Sequence, residues 1–465
     1  MKQKNLFQQN VENVIQDLGI NVAKYWLEMF KALPPYQIGV IKASGKLMED
    51  HCINQLCAEM SYMTNKGIYL PIVLGGGIQY NSIPGYSEAK KPNGLRVTSL
   101  ELMIEISELA QHHQQKVAKI LEANGTSTEI ISPSSIIAKA HGIEIDETGK
   151  PIDTLYVGDI VSIDTKPIIQ AILNGRIPII SHIGTNHHEM YNINATTLAA
   201  EIVKYLEAKK LILLGDTPVI DDNGEIIKII NSEDQANQLV KQGIISGGMV
   251  TNVNNAYNLL AHLGPGHSVQ ITKLKQANHG SIDSTGLLEE ILGDGSGTKL
   301  VLPHKISSYP LCAISESEIS VLINSIFSEK GEQLVEGYFE MLKQKNPTIY
   351  LDSLRQGGAI TYPLEDCEYL CKIFTHKNYE GLGIAKSIID IVIKQKGALA
   401  WRTNALKACN IEKYNRILMS YSNNYNISTI KENNYVVFMI GVPEHAKQNV
   451  AKQVLEIPKT LKPIS

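Results

Sequence analysis

The sequence predicts an α/β protein of two unlike domains: a larger three-layer sandwich around a mainly parallel sheet, then a smaller α/β domain. Three observations carry this. Short β-branched runs alternate with long amphipathic helices over residues 36–300, the pattern of a parallel sheet covered on both faces. Beyond that stretch the order changes to helix, helix, then successive strands. The 465 residues leave room for both, at about 150 residues per domain.

The first 35 residues read as helix, with apolar positions at three-to-four spacing in NVIQDLG and INVAKYWLEMFKAL, and Pro34 and Pro35 end it. The strand candidates that follow are YQIGVIKAS, IYLPIVL, TLYVGDIVSID, RIPIISHIG, KLILLGD and HSVQIT. Long helices fall between them: one over 99–125, closed by Asn124-Gly125, and one opened by Asn194. VLPHKISSYP suits a linker, expected over 301–312. The second domain is then expected over 313–446, with strands GGAITYPL, CEYLCKIF, ALAWRTN and YVVFMIGV and the helix IAKSIIDIVIKQK, and a tail over 447–465.

Composition narrows the function classes. Lys and Arg total 43 against 47 Asp and Glu, a net charge of −4 that offers no general field for nucleic acid or anionic lipid. No run approaches ~18 apolar residues, the length a membrane span needs. The N-terminus lacks the apolar core of a secretory signal, so the cytoplasm is the expected compartment. Six cysteines in such a chain are no disulfide framework. Cys367 and Cys371 have neither His nor further Cys at ligand spacing and read as buried thiols, and no metal is expected.

Two stretches carry chemistry. Lys42 ends a strand and precedes Ser44-Gly45, and Gly75-Gly76-Gly77 follows the next strand. Glycines after parallel strands let N–H groups approach a phosphate, although a plain tight turn explains three glycines equally well. The ordered set GVIKASG, PIVLGGG, NGLRVTS, YVGDIVSID, IPIISHIG, YNINATTLA, LILLGDTPVIDDNGEI and GGMVTNVN resembles the amino-acid kinase family, closest to acetylglutamate kinases and the kinase-like half of acetylglutamate synthases. The resemblance implies that Arg96 grips a substrate carboxylate, Asn192 and Asn194 belong to the motif holding an acetylamino acid, and Lys42 faces the transferred phosphoryl group. The chain departs from the family at telling places: Asn252 stands for its second lysine, Thr196 for the aspartate that positions both lysines, Ser44 for a glycine and Leu74 for a histidine. Phosphoryl transfer depends on such a positive clamp. Kinase activity and ATP are therefore not expected, and the domain reads as a regulatory scaffold.

In the second stretch, Asn378-Tyr379-Glu380-Gly381-Leu382-Gly383-Ile384-Ala385 joins a strand to an apolar helix. A Gly-x-Gly turn at a helix start presents N–H groups and the positive dipole end to a pyrophosphate, while a simple capping turn is the plainer reading. The turn resembles the acyl-CoA loop of GCN5-type N-acetyltransferases. With YLCKIF before it and LAWRTN, NIEKY and YVVFMIGV after it, the region resembles the transferase half of vertebrate-like acetylglutamate synthases and bifunctional synthase/kinases. The resemblance implies acetyl-CoA as co-substrate, held by 378–385 with Ile373, Phe374 and Asn410. It implies glutamate held by Lys372 and Arg402, with Asn404 and Lys407 at two further positions where the family has Arg and Asn. Two carboxylates need such cations while the free amine faces the thioester; a lysine snorkelling at a strand edge is the alternative for Lys372. A phenol beside the sulfur can protonate the departing thiolate. Ungapped counting from Trp401 puts Lys413 at the family's tyrosine and Tyr414 one residue later, so both are catalytic candidates, with a structural tyrosine as the alternative for Tyr414.

The same family resemblance implies an arginine site between the N-terminal helix (Tyr25, Trp26, Phe30) and the end of the first domain (Glu290, Gly295, Gly297), where a helix packed by its aromatic stripe is the bland alternative. It also implies a homo-oligomer, a tetramer or another assembly. The expected function is N-acetylglutamate synthesis from acetyl-CoA and L-glutamate, the first step of arginine biosynthesis. A bifunctional acetylglutamate kinase/synthase and a silent arginine- or acetyl-CoA-binding regulatory protein are the alternatives.

Overall fold

The structure, a computed structural model, describes residues 33–146, 148–272, 275–276, 282–284, 286–292, 295–328, 331–376, 383–422, 424–432 and 434–464, with 23, 27, 30 and 31. Two compact units divide the chain between Leu302 and Pro303. Of the N-terminal helix expected over 1–35, most lies outside the described residues; Ala23, Leu27, Phe30 and Lys31 are helical.

The first unit is built on an eight-stranded sheet: β1 (Gly39–Ala43), β2 (Ile72–Leu74), β3 (Thr128–Ile130), β4 (Ile177–Ser181), β5 (Lys210–Leu214), β6 (Ile229–Ile230), β7 (Ser268–Thr272) and β8 (Thr298–Val301). Their spatial order is β6-β8-β7-β5-β1-β2-β4-β3. Every neighbouring pair is parallel except β7 with β8. β1, β4, β5 and β7 are buried throughout, which is why GVIKA and KLILL read as continuous rather than alternating apolar runs.

Helices α1 (Asp50–Thr64), α2 (Leu100–Ala123), α3 (Ala195–Leu206) and α4 (Gly248–Leu263) cover this sheet. Leu198, Ile202, Val253 and Leu260 of α3 and α4 share one core with Val40, Val73, Leu211 and Val269. Opposite that core, α1 packs on α2, and α2 on β3 and β4. The sequence sets these helices locally. Ser99 caps α2 by accepting from Leu102 N, and Leu102, Ile106, Ala110, Val117 and Leu121 repeat along its buried face. Asn194 caps α3, its Oδ1 accepting from Thr196 N and Thr197 N at 2.9 and 3.1 Å. A second sheet, ordered Met190–Asn192, Ile183–Thr185, Ile136–Ala140, Gly158–Ile163, lies beside the first.

The second unit holds a seven-stranded sheet: β9 (Ile306–Pro310), β10 (Thr348–Asp352), β11 (Gly357–Pro363), β12 (Glu368–Thr375), β13 (Leu399–Asn404), β14 (Ile427–Glu432) and β15 (Tyr435–Ile440), ordered β9-β10-β11-β12-β13-β15-β14. Neighbours are antiparallel except β12 with β13. Its helices are α5 (Glu316–Ser328), α6 (Tyr338–Lys343), α7 (Ile384–Lys396), α8 (Ala408–Met419) and α9 (Lys447–Glu456). Ile319 and Ile323 of α5, Leu342 of α6 and Val450 and Val454 of α9 share a core with Ile360 and Val437, while Ile388 and Val392 of α7 pack with Leu370, Trp401 and Phe438. Within the stretch expected as linker lies an edge strand, β9. The stretch expected as tail forms α9 and a short strand, Leu461–Pro463, paired antiparallel with Glu332–Leu334.

Candidate functional site

In the second unit, the site begins with a flaw in a ladder. β11 and β12 pair Ile360 with Lys372 and then Thr361 with Leu370, so Cys371 is an extra residue, and such a bulge bends the strand that carries it. On the other side, β12 and β13 register only at Glu368–Leu399 and Tyr369–Ala400, although the strands run eight and six residues. Beyond Tyr369 the two strands part. A gap inside a sheet exposes backbone donors and acceptors to whatever extended, amide-bearing ligand enters it.

The residues expected at the site surround this parting. Lys372 is buried, its Nζ lies 5.4 Å from the Tyr338 ring centroid, and it donates to Thr460 Oγ1. Burial pushes its ammonium below the usual lysine range. The Arg402 guanidinium lies 4.6 Å from the Tyr435 ring centroid and donates to the carbonyls of Val454 (2.7 Å), Leu455 (2.9 Å) and Ile457. Asn404 Oδ1 accepts from Leu406 N, and Lys407 pairs with Glu332 at 3.2 Å. Ile373 packs with the α7 core and Phe374 with the opposite one.

Gly383, at φ 96°, caps α7 ahead of Ile384 and Ala385, in a backbone region that favours glycine. Asn378, Tyr379, Glu380, Gly381 and Leu382 lie outside the described residues, as does the Lys413 side chain. Asn410 sits in the first turn of α8. The Tyr414 ring stands 5.7 Å from Trp401, edge-on, and 5.6 Å from Phe438. Reading residue types did not reveal Thr460, the carbonyls around Arg402 or the Cys371 bulge. The alternation break at Cys371-Lys372 was the one available hint.

In the first unit, Lys42 at the end of β1 pairs with Asp216 at 3.0 Å, across neighbouring β1 and β5. Asp216 was not singled out from sequence, although Gly215-Asp216 ending a strand adjacent to that of Lys42 could have flagged it. Gly75 N donates to Ala43 O, and a Cβ on Gly75 would lie 3.8 Å from Lys42 Cε, so lysine and first glycine do meet. Beside Gly76 the space is filled by the Tyr80 ring, into which any Cβ would run. Gly77 opens the short helix Gly77–Ser82. Arg96 stacks on Tyr86, 3.8 Å from the ring centroid, and donates to Tyr86 O. Asn192 donates to Thr98 Oγ1 at 3.2 Å, and that hydroxyl donates to Arg96 O, so Arg96 and Asn192 share a neighbourhood. Thr196 is buried and Asn252 half-buried.

A second cluster in this unit joins Phe30 and Glu290. Glu290 is buried, and its Oε1 accepts from Ser296 N (2.9 Å) and Gly297 N (3.2 Å). Burial pushes its carboxyl above the usual range, against those two N–H groups and Lys210. Lys210 donates to Glu290 O at 2.6 Å and lies 5.8 Å from the Phe30 ring centroid. A Cβ on Gly295 would strike the Glu290 carboxylate, and one on Gly297 the Ile271 carbonyl. On the same sheet face as Lys210, fully buried Gln270 has an amide with neither polar atom hydrogen-bonded among the described residues. Lys210 and Gln270 were not expected from sequence; Tyr25 and Trp26 lie outside the described residues.

Comparison with known proteins follows this division. Residues 37–273, just over half the chain, match the amino acid kinase family. Acetylglutamate kinase of Xanthomonas campestris is 26% identical over 406 residues, covering 84% of this chain and 88% of its own. Protein arg-6, mitochondrial, of Neurospora crassa is 25% identical over 81% of this chain, which spans 42% of that longer protein. In fold, N-acetylglutamate synthase from Neisseria gonorrhoeae, solved with coenzyme A and N-acetyl-glutamate, covers 91% of this chain and 99% of its own at a TM-score of 0.60 and 17% identity. The same synthase solved with coenzyme A and L-arginine gives 0.55 over 90% of this chain and 97% of its own, again at 17% identity. Both units thus have the fold of that synthase. No helix among the described residues is long and apolar enough to cross a membrane. On the span and order of its motifs, the chain belongs to the amino acid kinase family.

Proposed function

We propose that this chain is an N-acetylglutamate synthase that moves an acetyl group from acetyl-CoA to the amine of L-glutamate. The parting of β12 from β13 carries the reading, because it leaves a slot for the amide-bearing arm of coenzyme A between Lys372 and Arg402. α7 starts at Ile384 directly after the Gly381-Leu382-Gly383 sequence, and a Gly-x-Gly turn at a helix N-terminus suits a pyrophosphate. The synthase whose fold both units share was solved with coenzyme A, which supports the same reading.

In the reaction, Lys372 and Arg402 hold the carboxylates so that the deprotonated amine meets the thioester carbon. The C–N bond forms, the tetrahedral centre collapses, and the C–S bond breaks. Tyr414 gives its phenolic proton to the leaving thiolate, its ring fixed by Trp401 and Phe438. Water takes the proton lost by the amine.

The first unit holds no second lysine at Asn252 and no aspartate at Thr196, so it carries no phosphoryl transfer in this reading. Its cluster of Glu290, Lys210, Gln270 and the 295–297 turn suits L-arginine, with the Glu290 carboxylate on the guanidinium side and the Lys210 cation toward the other end. Arginine regulates the synthesis from there, in a homo-oligomer, in the cytoplasm.

The test supplies acetyl-CoA and glutamate, with and without arginine, and follows thiol release, while a parallel reaction with ATP and N-acetylglutamate follows ADP. Thiol without ADP is expected. ADP as well would make the chain a bifunctional kinase/synthase, and neither product would leave it a silent regulatory protein.

A further inference from the structure

The two cations assigned to the amino acid are already engaged, and by one segment of the same unit. After α9 ends at Glu456, the chain turns back through Ile457 and Pro458, and Leu461–Pro463 joins Glu332–Leu334 as an antiparallel strand. Two further backbone bonds extend the pairing, Val335 N to Thr460 O (3.3 Å) and Ile464 N to Gly331 O (2.9 Å). This strap sets the Thr460 hydroxyl on Lys372 Nζ. The end of α9 gives Arg402 the carbonyls of Val454 and Leu455, and the strap adds those of Ile457 and, at 3.4 Å, Pro458. Val454 and Leu455 are among the acceptors a helix C-terminus leaves without an intrahelical donor, so the guanidinium caps α9 there and reaches the strap with its remaining donors. Lys407 is drawn to Glu332, on the strand that the strap pairs with.

We propose that the strap over residues 457–464 is an autoinhibitory occupant of the amino-acid site, released when a dicarboxylic amino acid takes Lys372 and Arg402. The proposal rests on the acetyltransferase reading above and adds its regulation. The chemistry favours exchange over permanent closure. The strap offers neutral carbonyl and hydroxyl acceptors, whereas the substrate offers carboxylates, which add an opposite charge and can meet a guanidinium with two parallel hydrogen bonds. The strap itself is held by a two-stranded ladder of three residue pairs, which is marginal alone. Substrate affinity then carries the cost of opening: a strap shut nine-tenths of the time raises the apparent KM for glutamate about tenfold.

Two variants of the full chain bracket the device. Lys462→Pro with Thr460→Ala removes a ladder N–H and the contact to Lys372, and opens the strap. Gln333→Cys with Lys462→Cys places thiols on a directly opposed pair, so oxidation locks the strap and reduction frees it. Acetyl-CoA consumption is followed by thioester absorbance, and coenzyme A binding is measured alongside. The open variant is expected to lower the KM for glutamate about tenfold, and the oxidised pair to lose turnover and regain it on reduction, with coenzyme A binding alike in all forms. One KM shared by wild type, open and locked forms overturns the strap and leaves the synthase standing. If the open variant binds coenzyme A but neither binds nor acetylates glutamate, the amino-acid reading falls, and the strap with it.

Discussion

Tyr414 carries its hydroxyl on a ring wedged against Trp401 and Phe438, so phenylalanine keeps the ring packing and removes the phenolic proton. Tyr414→Phe should lower kcat by roughly 100-fold or more with KM and melting temperature little changed, read from steady-state kinetics beside a thermal melt. Glu290 shows the opposite kind of constraint, since its carboxylate is enclosed by a turn that only glycine can make. Gly297→Ala drives a methyl into the Ile271 carbonyl and should cost roughly 1–3 kcal/mol and abolish any arginine response, checked by urea titration and by arginine inhibition curves. The family resemblance, together with residue type, singled out Lys372, Arg402 and Glu290. It left Asp216 and Thr460 unmarked, because each meets its lysine across 174 or 88 residues of chain, and only the strand end at Gly215-Asp216 hinted at the first.

At the scale of elements, local rules and tertiary ones separate cleanly. Asn194 before ATTLAAEIV announces a helix start, and α3 begins there because two N–H groups find the Asn194 side chain. Asn194→Ala should therefore lower stability by about 1 kcal/mol, seen as a shifted urea midpoint at constant slope, while acetyl transfer continues. The buried strands were legible from their apolar runs. The parting of β12 and β13 was not, because it depends on a bulge whose register is set by β11, and a run such as YLCKIF does not reveal which of its residues is surplus. The stretch past 446 looked like a tail because its short apolar spacing gives little sign that Val450 and Val454 complete a core.

Across the whole molecule, the two units keep different chemistry. The first has the amino acid kinase fold with Lys42 and Gly75 at neighbouring strand ends, yet the space beside Gly76 is filled by Tyr80, whose hydroxyl has no hydrogen-bond partner among the described residues. Three histidines there, His113, His182 and His267, are held down to about 4, in each case chiefly by burial. Unfolded, each takes a proton near pH 6.5, so between about pH 6.5 and 4 the unfolded chain binds more protons and stability falls as pH falls. The first unit should lose on the order of a few kcal/mol across that window, and replacing His182 with Gln should flatten the slope of its calorimetric transition against pH.

The central claim is that the slot beside Lys372 and Arg402 joins an acetyl group to the nitrogen of glutamate. Acetyl-CoA labelled with carbon-13 in the acetyl group, incubated with glutamate and the folded full-length chain, tests it by NMR of the products. Label on the glutamate nitrogen, as an N-acetyl amide, together with free coenzyme A is the expected result. Label that stays on coenzyme A, with the protein folded and coenzyme A bound, would contradict the account.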